Sequence, residues 1–403
     1  MTRDARLLFL ARAVRMFGYG ALGVILVLYL VAAGLDAGAV GLLLTLTLLG
    51  DTVISLYLTT HADRIGRRRT LIIGALLMAG AGVVFAGSTA FVVLLVAATL
   101  GVLSPSGNEV GPFLPIEQSS LTEVTPSNRR TNIYAWYNLV GSVATATGAL
   151  ASGFAVGALQ AAGWTDLDAY RAVLVGYAIV GLAIVPVVRL VSSAVEVPPV
   201  DTSLARRFGL HRSRGIVVRL AALFAVDAFA GGFVITSLLS FWFHERFGVS
   251  IEALGAIFFG AQLLAAVSAL AAASIAARIG LINTMVFTHL PSNVLLILVP
   301  LMPTVELAVI VLLLRYSISQ MDVPTRQSYT MAVVDPDERS AAAGITGIAR
   351  TTGASLSPLI AAPLFAVPGL AALPFFIAGG LKILYDVALW RAFRARPTPD
   401  ERR

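Results

Sequence analysis

The sequence predicts an all-α membrane protein, and three observations support this prediction. Hydrophobic residues make up 58% of the 403 residues, charged residues make up only 13%, and the mean hydropathy is +0.86. Roughly twelve apolar runs of about 20 residues are present, and a helix needs that length to cross a bilayer. Short polar connections separate most of these runs. Soluble domains of ordinary composition are much less apolar, so we expect a polytopic helical protein.

The predicted spans follow one another closely along the chain. We number them span 1 to span 12: 6–33, 39–60, 70–88, 90–118, 131–161, 169–195, 215–243, 250–278, 281–301, 304–328, 339–366 and 368–394. Span 1 is too long for a signal-peptide core and lacks a small-residue cleavage pattern, so we expect it to be retained. The spans predict two six-helix bundles, over residues 1–195 and 215–403, joined by a basic linker over residues 196–214. The second bundle ends in a short basic tail.

Basic residues lie in alternate connections. They concentrate at both termini, in the connection after span 2 and in the linker, whereas the opposite side holds only Arg171 and Arg246. Because cytoplasmic loops retain Lys and Arg, both termini are expected in the cytoplasm of a cell whose plasma membrane holds the protein. This topology explains the net charge of +7, so we expect no nucleic-acid partner. The absence of cysteine excludes disulfides and thiolate ligands, and we expect no metal and no cofactor.

Four segments of the first half have counterparts in the second half. ADRIGRRRTL at 62–71 matches AARIGLINTM at 276–285, and AVRMFGYG at 13–20 matches AVDAFAGG at 225–232. LPIEQSSLTEVTPSNRR at 114–130 matches VPTRQSYTMAVVDPDER at 323–339, and TGALASG at 147–153 matches TGASLSP at 352–358. The offsets lie between 205 and 214 residues and the order never reverses. The pattern therefore indicates a parallel duplication, an arrangement found in secondary transporters.

Two six-helix repeats with a charged connection between spans 2 and 3 resemble the major facilitator superfamily, in its bacterial-type form with twelve spans. That family's connection reads approximately G-x-x-x-D-R-x-G-R-R, and Thr59 stands here at the usual first glycine. The matching residues are Asp63, Arg64, Gly66, Arg67 and Arg68. The resemblance implies a transporter in which Asp63 closes the cytoplasmic face against the positive N-terminal end of span 11, near Ser340. Ordinary positive-inside charge would explain the arginines but not Asp63 or Gly66.

Five ionisable residues lie near the middle of predicted spans, where a charge is costly unless it is paired or hydrated. They are Arg15, Asp51, Asp227, Arg315 and Arg350. Guanidinium groups suit carboxylate or phosphate and favour an anionic solute, whereas Asp51 and Asp227 are candidates for proton coupling. The resemblance implies that spans 1, 4, 7 and 10 line the cavity, with Arg15, Asp227 and Arg315 in the solute path. Alternatively, Asp227 forms a purely structural ion pair with Arg15 or Arg315.

Span 4 contains SPSGNEVGPFLPIEQS at residues 104–119, with three prolines and two glycines. Such a run predicts a kink or an unwound segment, which membranes tolerate where the freed backbone groups meet protein or cavity water. We expect Asn108 and Glu109 to reach the cavity there, and Asn138 of span 5 to face it. Span 10 offers Asp322 as a third candidate for proton coupling.

The oppositely charged Glu117 and Arg326 occupy equivalent positions of the two repeats. With Arg129 and Arg339 they are candidates for closing the cytoplasmic mouth, as in sugar-transporting relatives of the resembled family. The alternative is that both side chains snorkel to the membrane interface.

Three further features of the sequence have ordinary structural interpretations. Lys382 and Asp386 are four residues apart and are expected to neutralise one another. The rings of Tyr134, Trp136 and Tyr137 are expected in an interfacial belt. His289 is expected to be structural.

The leading functional hypothesis is a secondary active transporter that moves a small polar, anionic solute by alternating access with proton coupling. It would work in the bilayer as a monomer, with a small molecule or ion and protons as its partners. The alternative within transport is proton-driven efflux of hydrophobic or cationic drugs. Such relatives usually carry an arginine in span 4 and a Gly-Pro pair in span 5, and neither pattern is present. A membrane enzyme or a non-transporting receptor is a third possibility, but four histidines and no Ser/His/Asp pattern argue against an enzyme.

Overall fold

A computed structural model describes residues 1–126, 130–196, 212–335 and 338–394 of the chain. The described part is built of α-helices with short connections, including 3₁₀ turns at Ser193–Val195 and Val299–Leu301. The helices are α1 (Arg3–Ala32), α2 (Ala37–Ile65), α3 (Arg67–Gly87), α4 (Phe91–Leu100), α5 (Phe113–Glu123), α6 (Arg130–Ala161), α7 (Asp166–Arg189), α8 (Arg214–Gly232), α9 (Thr236–Phe247), α10 (Ile251–Ile279), α11 (Leu281–Leu298), α12 (Val305–Ser319), α13 (Asp322–Val333), α14 (Arg339–Leu356), α15 (Pro358–Ala366) and α16 (Leu373–Phe393).

Eight of the predicted spans correspond to single helices, and four are divided. Spans 4, 7, 10 and 11 consist of α4 with α5, α8 with α9, α12 with α13, and α14 with α15. The unwound segment predicted in span 4 is confirmed, because residues 101–112 leave the helical conformation. The other three breaks were not predicted. Span 7 breaks after Gly231 and Gly232, and span 11 breaks where Pro358 starts a new helix, a position that proline tolerates because no helical N–H is needed there.

Ten helical segments of the described residues are long and apolar enough to cross a bilayer. The divided spans 7 and 10 are among the ten, whereas the divided spans 4 and 11 are not. The ten segments and these two divided spans agree with twelve crossings. The all-α membrane fold predicted from composition is therefore confirmed.

The helices group into two compact units. The first unit comprises Met1–Thr202 with Ile235–Phe259, and the second comprises Ser203–Val234 with Gly260–Arg403. Within the first unit α1 packs along α6 and α3 packs along α7. Within the second unit α8 packs along α14 and α11 packs along α16. In terms of spans, the first unit pairs span 1 with span 5 and span 3 with span 6. The second unit repeats this packing with the equivalent pairs, span 7 with span 11 and span 9 with span 12.

Equivalent glycines allow the closest helix crossings in both units. A Cβ on Gly20 or Gly148 would lie 2.0 or 1.9 Å from a carbonyl oxygen of the facing helix. A Cβ on Gly232 or Gly353 would lie 2.4 Å from such an oxygen. Gly20 aligns with Gly232 and Gly148 with Gly353 in the sequence repeats. The duplication thus preserves a backbone-to-backbone contact that only glycine permits.

Candidate functional site

A buried charge network lies within the first unit. Arg12 and Arg15 are three residues apart on α1 and therefore point the same way. Arg15 donates two hydrogen bonds to Glu117, at 2.7 and 2.8 Å, and one to Glu109 at 3.0 Å, while Arg12 donates to Glu109 at 2.5 Å. The hydroxyl of Tyr137 donates to Glu117. Two cations thus meet two carboxylates, and we call these five residues the first-unit network.

This network corrects two interpretations of the sequence. Glu117 is fully buried, so interfacial snorkelling is wrong for it. Tyr137 is also fully buried, so it does not belong to an interfacial aromatic belt, whereas Trp136 is exposed. Arg12 is not among the predicted site residues because it lies nearer the basic end of span 1. Its spacing of three residues from Arg15 is the signal that could have identified it.

The unwound segment between α4 and α5 is held by polar groups of neighbouring helices and of the segment itself. Backbone groups that leave a helix at membrane depth must find other partners, since lipid offers none. The bonds run from Tyr177 to the carbonyl of Val102 at 2.7 Å, from Ser104 to Asn108 at 2.6 Å, from Tyr19 to Val110 at 3.1 Å, from Thr236 to Ser106 at 2.9 Å, and from the N–H of Ser237 to Pro105 at 3.2 Å. These bonds fix the segment that carries Glu109.

Asp51 on α2 holds the far end of this segment. Its carboxylate accepts the N–H of Gly111 at 2.7 Å and the hydroxyl of Ser55 at 3.2 Å. Gly111 has a φ of 79°, a conformation that favours glycine. No Lys or Arg among the described residues forms an ion pair with Asp51. It is thus a membrane carboxylate held by hydrogen bonds alone within that part of the chain.

The second unit contains a larger network centred on Asp227 of α8. Asp227 accepts from Lys382 at 2.5 Å and from Arg326 at 3.2 Å, and Arg326 also donates to Asp322 at 2.8 Å. Asp227, Asp322 and Arg326 are all buried, so snorkelling is wrong for Arg326 as well. The expectation that Lys382 neutralises Asp386 is not met, because the Lys382 ammonium points to Asp227 instead.

Asp386 has polar partners of a different kind. It contacts Nδ1 of His289 at 2.9 Å and accepts from Asn293 at 2.9 Å. The Nε2 atom of His289 lies 3.9 Å from Asp227. His289 therefore connects the residues around Asp386 with those around Asp227. We call the following residues the second-unit network: Asp227, His289, Asn293, Asp322, Arg326, Lys382 and Asp386.

Two predicted site residues of the second unit stand outside this pairing. Arg315 on α12 and Arg350 on α14 form no ion pair with any described residue. The Nε atom of each is buried without a hydrogen-bond partner in that part of the chain. Arg315 lies with its guanidinium carbon 5.1 Å from the ring centre of Tyr316.

The remaining predicted solute-binding residues are the amides. Asn108 lies in the unwound segment and Asn138 lies on α6, and both residues are exposed. Exposed amides at these positions can donate and accept hydrogen bonds with a polar solute.

The connection between α2 and α3 is organised around Gly66, whose φ is 98°. Asp63 bonds Arg67 at 3.0 Å one turn later and remains 61% exposed. The N–H groups of Arg67 and Arg68, at the start of α3, donate to the carboxylate of Glu196 at 2.7 and 3.1 Å. Glu196 is not among the predicted gate residues, because its position in the sequence indicates only the start of the linker.

Other predicted gate residues are placed as follows. Arg64 is exposed in the same connection, and Arg339 is exposed at the start of α14. Arg129 lies outside the described residues. The role of Glu117 and Arg326 in closing the cytoplasmic mouth stays a prediction. Each of these residues has its ion-pair partners within its own unit.

The bilayer-length helices define a polytopic membrane protein, and buried charges inside such helices are typical of solute and ion pathways. The chain belongs to the major facilitator superfamily, whose family model matches residues 8–358. Members of this family bind small molecules within the membrane and are transporters rather than enzymes. The resemblance seen in the sequence is therefore confirmed.

One relative and two solved structures illustrate the family. An uncharacterized membrane protein of Saccharomyces cerevisiae, YJR124C, is 31% identical over 419 residues, covering 96% of this chain and 93% of the relative. A mutant form of the nucleoside transporter NupG superimposes with a TM-score of 0.76 at 12% identity, covering 97% of this chain and 100% of that one. A D-xylose-proton symporter gives 0.76 at 14% identity, covering 96% and 97%. These two structures are named for different solutes, so the shared fold does not specify one.

Proposed function

We propose that this protein is a proton-driven secondary transporter of a small polar anion. The observation that supports this proposal is the pair of membrane arginines without an ion-pair partner among the described residues, Arg315 and Arg350. Every cation of the first-unit network has a carboxylate partner, and so do Arg326 and Lys382 in the second unit. Arg315 and Arg350 therefore have positive charge to offer to a solute.

An anion fits these two arginines on energetic grounds. An unpaired charge at membrane depth costs several kcal/mol, roughly 2.5 to 3.5 on insertion scales. A carboxylate or phosphate would relieve this cost by forming forked hydrogen bonds with the guanidinium planes. The exposed amides of Asn108 and Asn138 would bind the polar remainder of the solute. Arg15, Glu109 and Asp227 then act by holding the walls of the path in place.

Asp51 is the first candidate for the residue that couples proton movement to transport. A carboxylate without a cationic partner can change its charge without breaking an ion pair. Its protonation would weaken the bond from Gly111 and so loosen the unwound segment two residues beyond Glu109. Protonation of Asp51 would therefore alter the first-unit network through the position of Glu109. Asp227 and Asp322, which are held by cations, stay predicted carriers with less geometric support.

Transport would proceed by alternating access. We propose that the six-span halves, residues 1–195 and 215–403, rock about the solute, with residues 196–214 as the tether. Asp63 and the connection after α2 would form the cytoplasmic gate, and the cap that Glu196 places on α3 would keep this connection rigid. Both termini would lie in the cytoplasm, and the protein would work as a monomer in the plasma membrane.

Flux into proteoliposomes tests the anion proposal. The purified full-length protein would be screened against carboxylated and phosphorylated solutes, sugars and lipophilic cations, with and without a proton gradient. Arg315→Gln and Arg350→Gln should each lower anion flux by roughly tenfold or more, since a charge-assisted hydrogen bond contributes about 1.5–3 kcal/mol. Arg219→Gln, an exposed arginine of α8, is the matched control and should leave flux unchanged. Flux of lipophilic cations that survives both substitutions would refute the anion proposal.

The coupling assignment has a separate test. Asp51→Asn keeps the shape of the side chain but cannot exchange a proton. We expect it to abolish the stimulation by an inward proton gradient while solute exchange at equal pH continues. Full stimulation in this variant would rule out Asp51 as the coupling residue.

A further inference from the structure

His289 lies buried between two carboxylates in the second unit. Its Nδ1 atom is 2.9 Å from Asp386 of α16, and its Nε2 atom is 3.9 Å from Asp227 of α8. Only 4% of the residue is exposed. A histidine held between two acids at membrane depth is placed to bind a proton, because the imidazolium form can donate to both sides.

The hydrogen-bond pattern favours one neutral form of the ring. An ionised carboxylate only accepts hydrogen bonds, so we assign the hydrogen on Nδ1 to the 2.9 Å bond with Asp386, which is shorter than the 3.3 Å contact of Nδ1 with the Asn293 amide nitrogen. Asn293 donates to the other oxygen of Asp386, at 2.9 Å, and orients that carboxylate. In the neutral ring Nε2 therefore holds a lone pair directed toward Asp227. A proton that binds there places the imidazolium between two negative charges.

The charged groups around the ring have a net charge that one proton would neutralise. Three carboxylates of the network face two cations, Arg326 and Lys382, so the network carries one surplus negative charge when His289 is neutral. Lys382 does not supply the missing cation to Asp386, because its ammonium contacts Asp227. Asp386 has no Lys or Arg within ion-pair distance among the described residues. A proton on His289 balances the network.

The other groups near the ring do not replace this proton. Tyr385 of α16 lies edge-on at 6.0 Å between ring centres and is a neutral neighbour. Arg326 and Asp322 of α13 are bonded to each other at 2.8 Å. Arg350 of α14 forms no ion pair in the described part of the chain, and the proposed function gives it to the solute. A bound monoanion that neutralises Arg350 leaves the surplus negative charge of the network to be matched by a proton on His289.

We infer that His289, positioned by Asp386 and Asn293, is a proton-binding site of the second unit, separate from the coupling carboxylate proposed at Asp51 in the first unit, and that it takes up a proton when an anionic solute binds. The part concerning the solute rests on the proposed function, whereas the proton site does not. The balance is simple: one proton and one monoanion enter together, and the buried charge of the second unit stays constant. Asp386 acts as a positioning residue, since it holds the tautomer that accepts the proton.

Histidine NMR on the full-length protein in nanodiscs reads this protonation directly. The chain has four histidines, and ¹⁵N labelling with His289→Gln assigns the signal of interest. We expect the Nδ1-protonated neutral ring to convert to imidazolium as the pH is lowered. Asp386→Asn should change the pH at which the ring converts, because it removes a neighbouring negative charge. The signal of His61, a histidine of α2 stacked on Tyr57, is the control. It should be the same in the wild type and in Asp386→Asn at each pH.

The outcomes separate this inference from the proposed function. A His289 ring that keeps one protonation state as the pH is lowered, or a conversion that Asp386→Asn leaves unchanged, would overturn the proton site. If wild-type liposomes move no anion but His289 still titrates as described, the proton site stands and the proposed solute fails. If anion flux occurs, His289→Gln should flatten its pH dependence while His61→Gln keeps it. An unaltered pH profile in His289→Gln would overturn the coupling to the solute.

Discussion

Replacing Glu117 with glutamine should destabilise the protein because it removes the main partner of a fully buried cation. Arg15 has no exposed surface and donates two hydrogen bonds to Glu117, at 2.7 and 2.8 Å. Each such bond is charge-assisted and contributes about 1.5–3 kcal/mol, so the intact pair accounts for roughly 3–6 kcal/mol. Glutamine can still accept one bond, and Arg15 keeps Glu109. The expected loss is therefore about 3 kcal/mol, at the lower end for a broken buried pair.

The assay is thermal unfolding of the purified protein in detergent, followed by tryptophan fluorescence. Asp168→Asn is the control, since it breaks the half-exposed pair with Arg171 at 3.4 Å, and such pairs contribute only about 0–1 kcal/mol. The double variant Arg15→Met with Glu117→Gln should recover part of the lost stability, because the buried cation that lost its main partner is also removed. A Glu117→Gln midpoint equal to that of Asp168→Asn would refute the reasoning.

Two further substitutions test the helix crossings and the gate. Gly148→Ala should lower the unfolding midpoint by an amount corresponding to about 1–3 kcal/mol or more, because its Cβ would lie 1.9 Å from a backbone oxygen of α1. Gly80→Ala, whose Cβ meets nothing within 4 Å, should leave the midpoint unchanged or raise it, and equal effects of the two would contradict the packing argument. Glu196→Gln should increase proteolysis at the connection after α2, since a neutral amide caps the start of α3 less well. Limited trypsin digestion checks this, and an unchanged cleavage rate would count against the cap.

The fold was predictable to a large extent because bilayer thickness constrains the sequence directly. Apolar run length predicted the spans, and the prolines and glycines of residues 104–119 predicted the break in span 4. The breaks in spans 7, 10 and 11 were not predicted, since the length of an apolar run does not show where its helix is interrupted. The equivalence of Gly20 with Gly232 was visible in the aligned segments, but its physical reason, the missing Cβ at a helix crossing, needed the structure.

The candidate site was predictable in composition but not in pairing. Position along a span gives the depth of a charge in the membrane, whereas its direction around the helix depends on packing that the sequence does not state. Lys382 and Asp386 are spaced as partners on one helix, yet each finds a better partner on another helix. Arg15 and Asp227 have equivalent depths, and the sequence suggested a bond between them. The structure instead describes each with partners inside its own unit.

These partners show that one ion pair occurs twice with its charges reversed. Arg15 on span 1 binds Glu117 on span 4, and Asp227 on span 7 binds Arg326 on span 10. Arg15 aligns with Asp227, and Glu117 aligns with Arg326. A change at only one position would leave a buried charge without its partner, at a cost of about 3–5 kcal/mol. The ion pair is therefore present in both halves. The positions of its positive and negative members are exchanged between them.

The arginines Arg315 and Arg350 have no such counterpart in the first half. The offsets of the neighbouring repeats place Ser106 opposite Arg315 and Thr145 opposite Arg350. Ser106 lies in the unwound segment, and the backbone of Thr145 forms the close crossing with Gly20, so neither position provides a cation. The additional positive charge at these two positions is therefore a property of the second half alone. We expect substitutions in the first-unit network to act mainly on stability, and substitutions at Arg315 and Arg350 to act mainly on solute affinity.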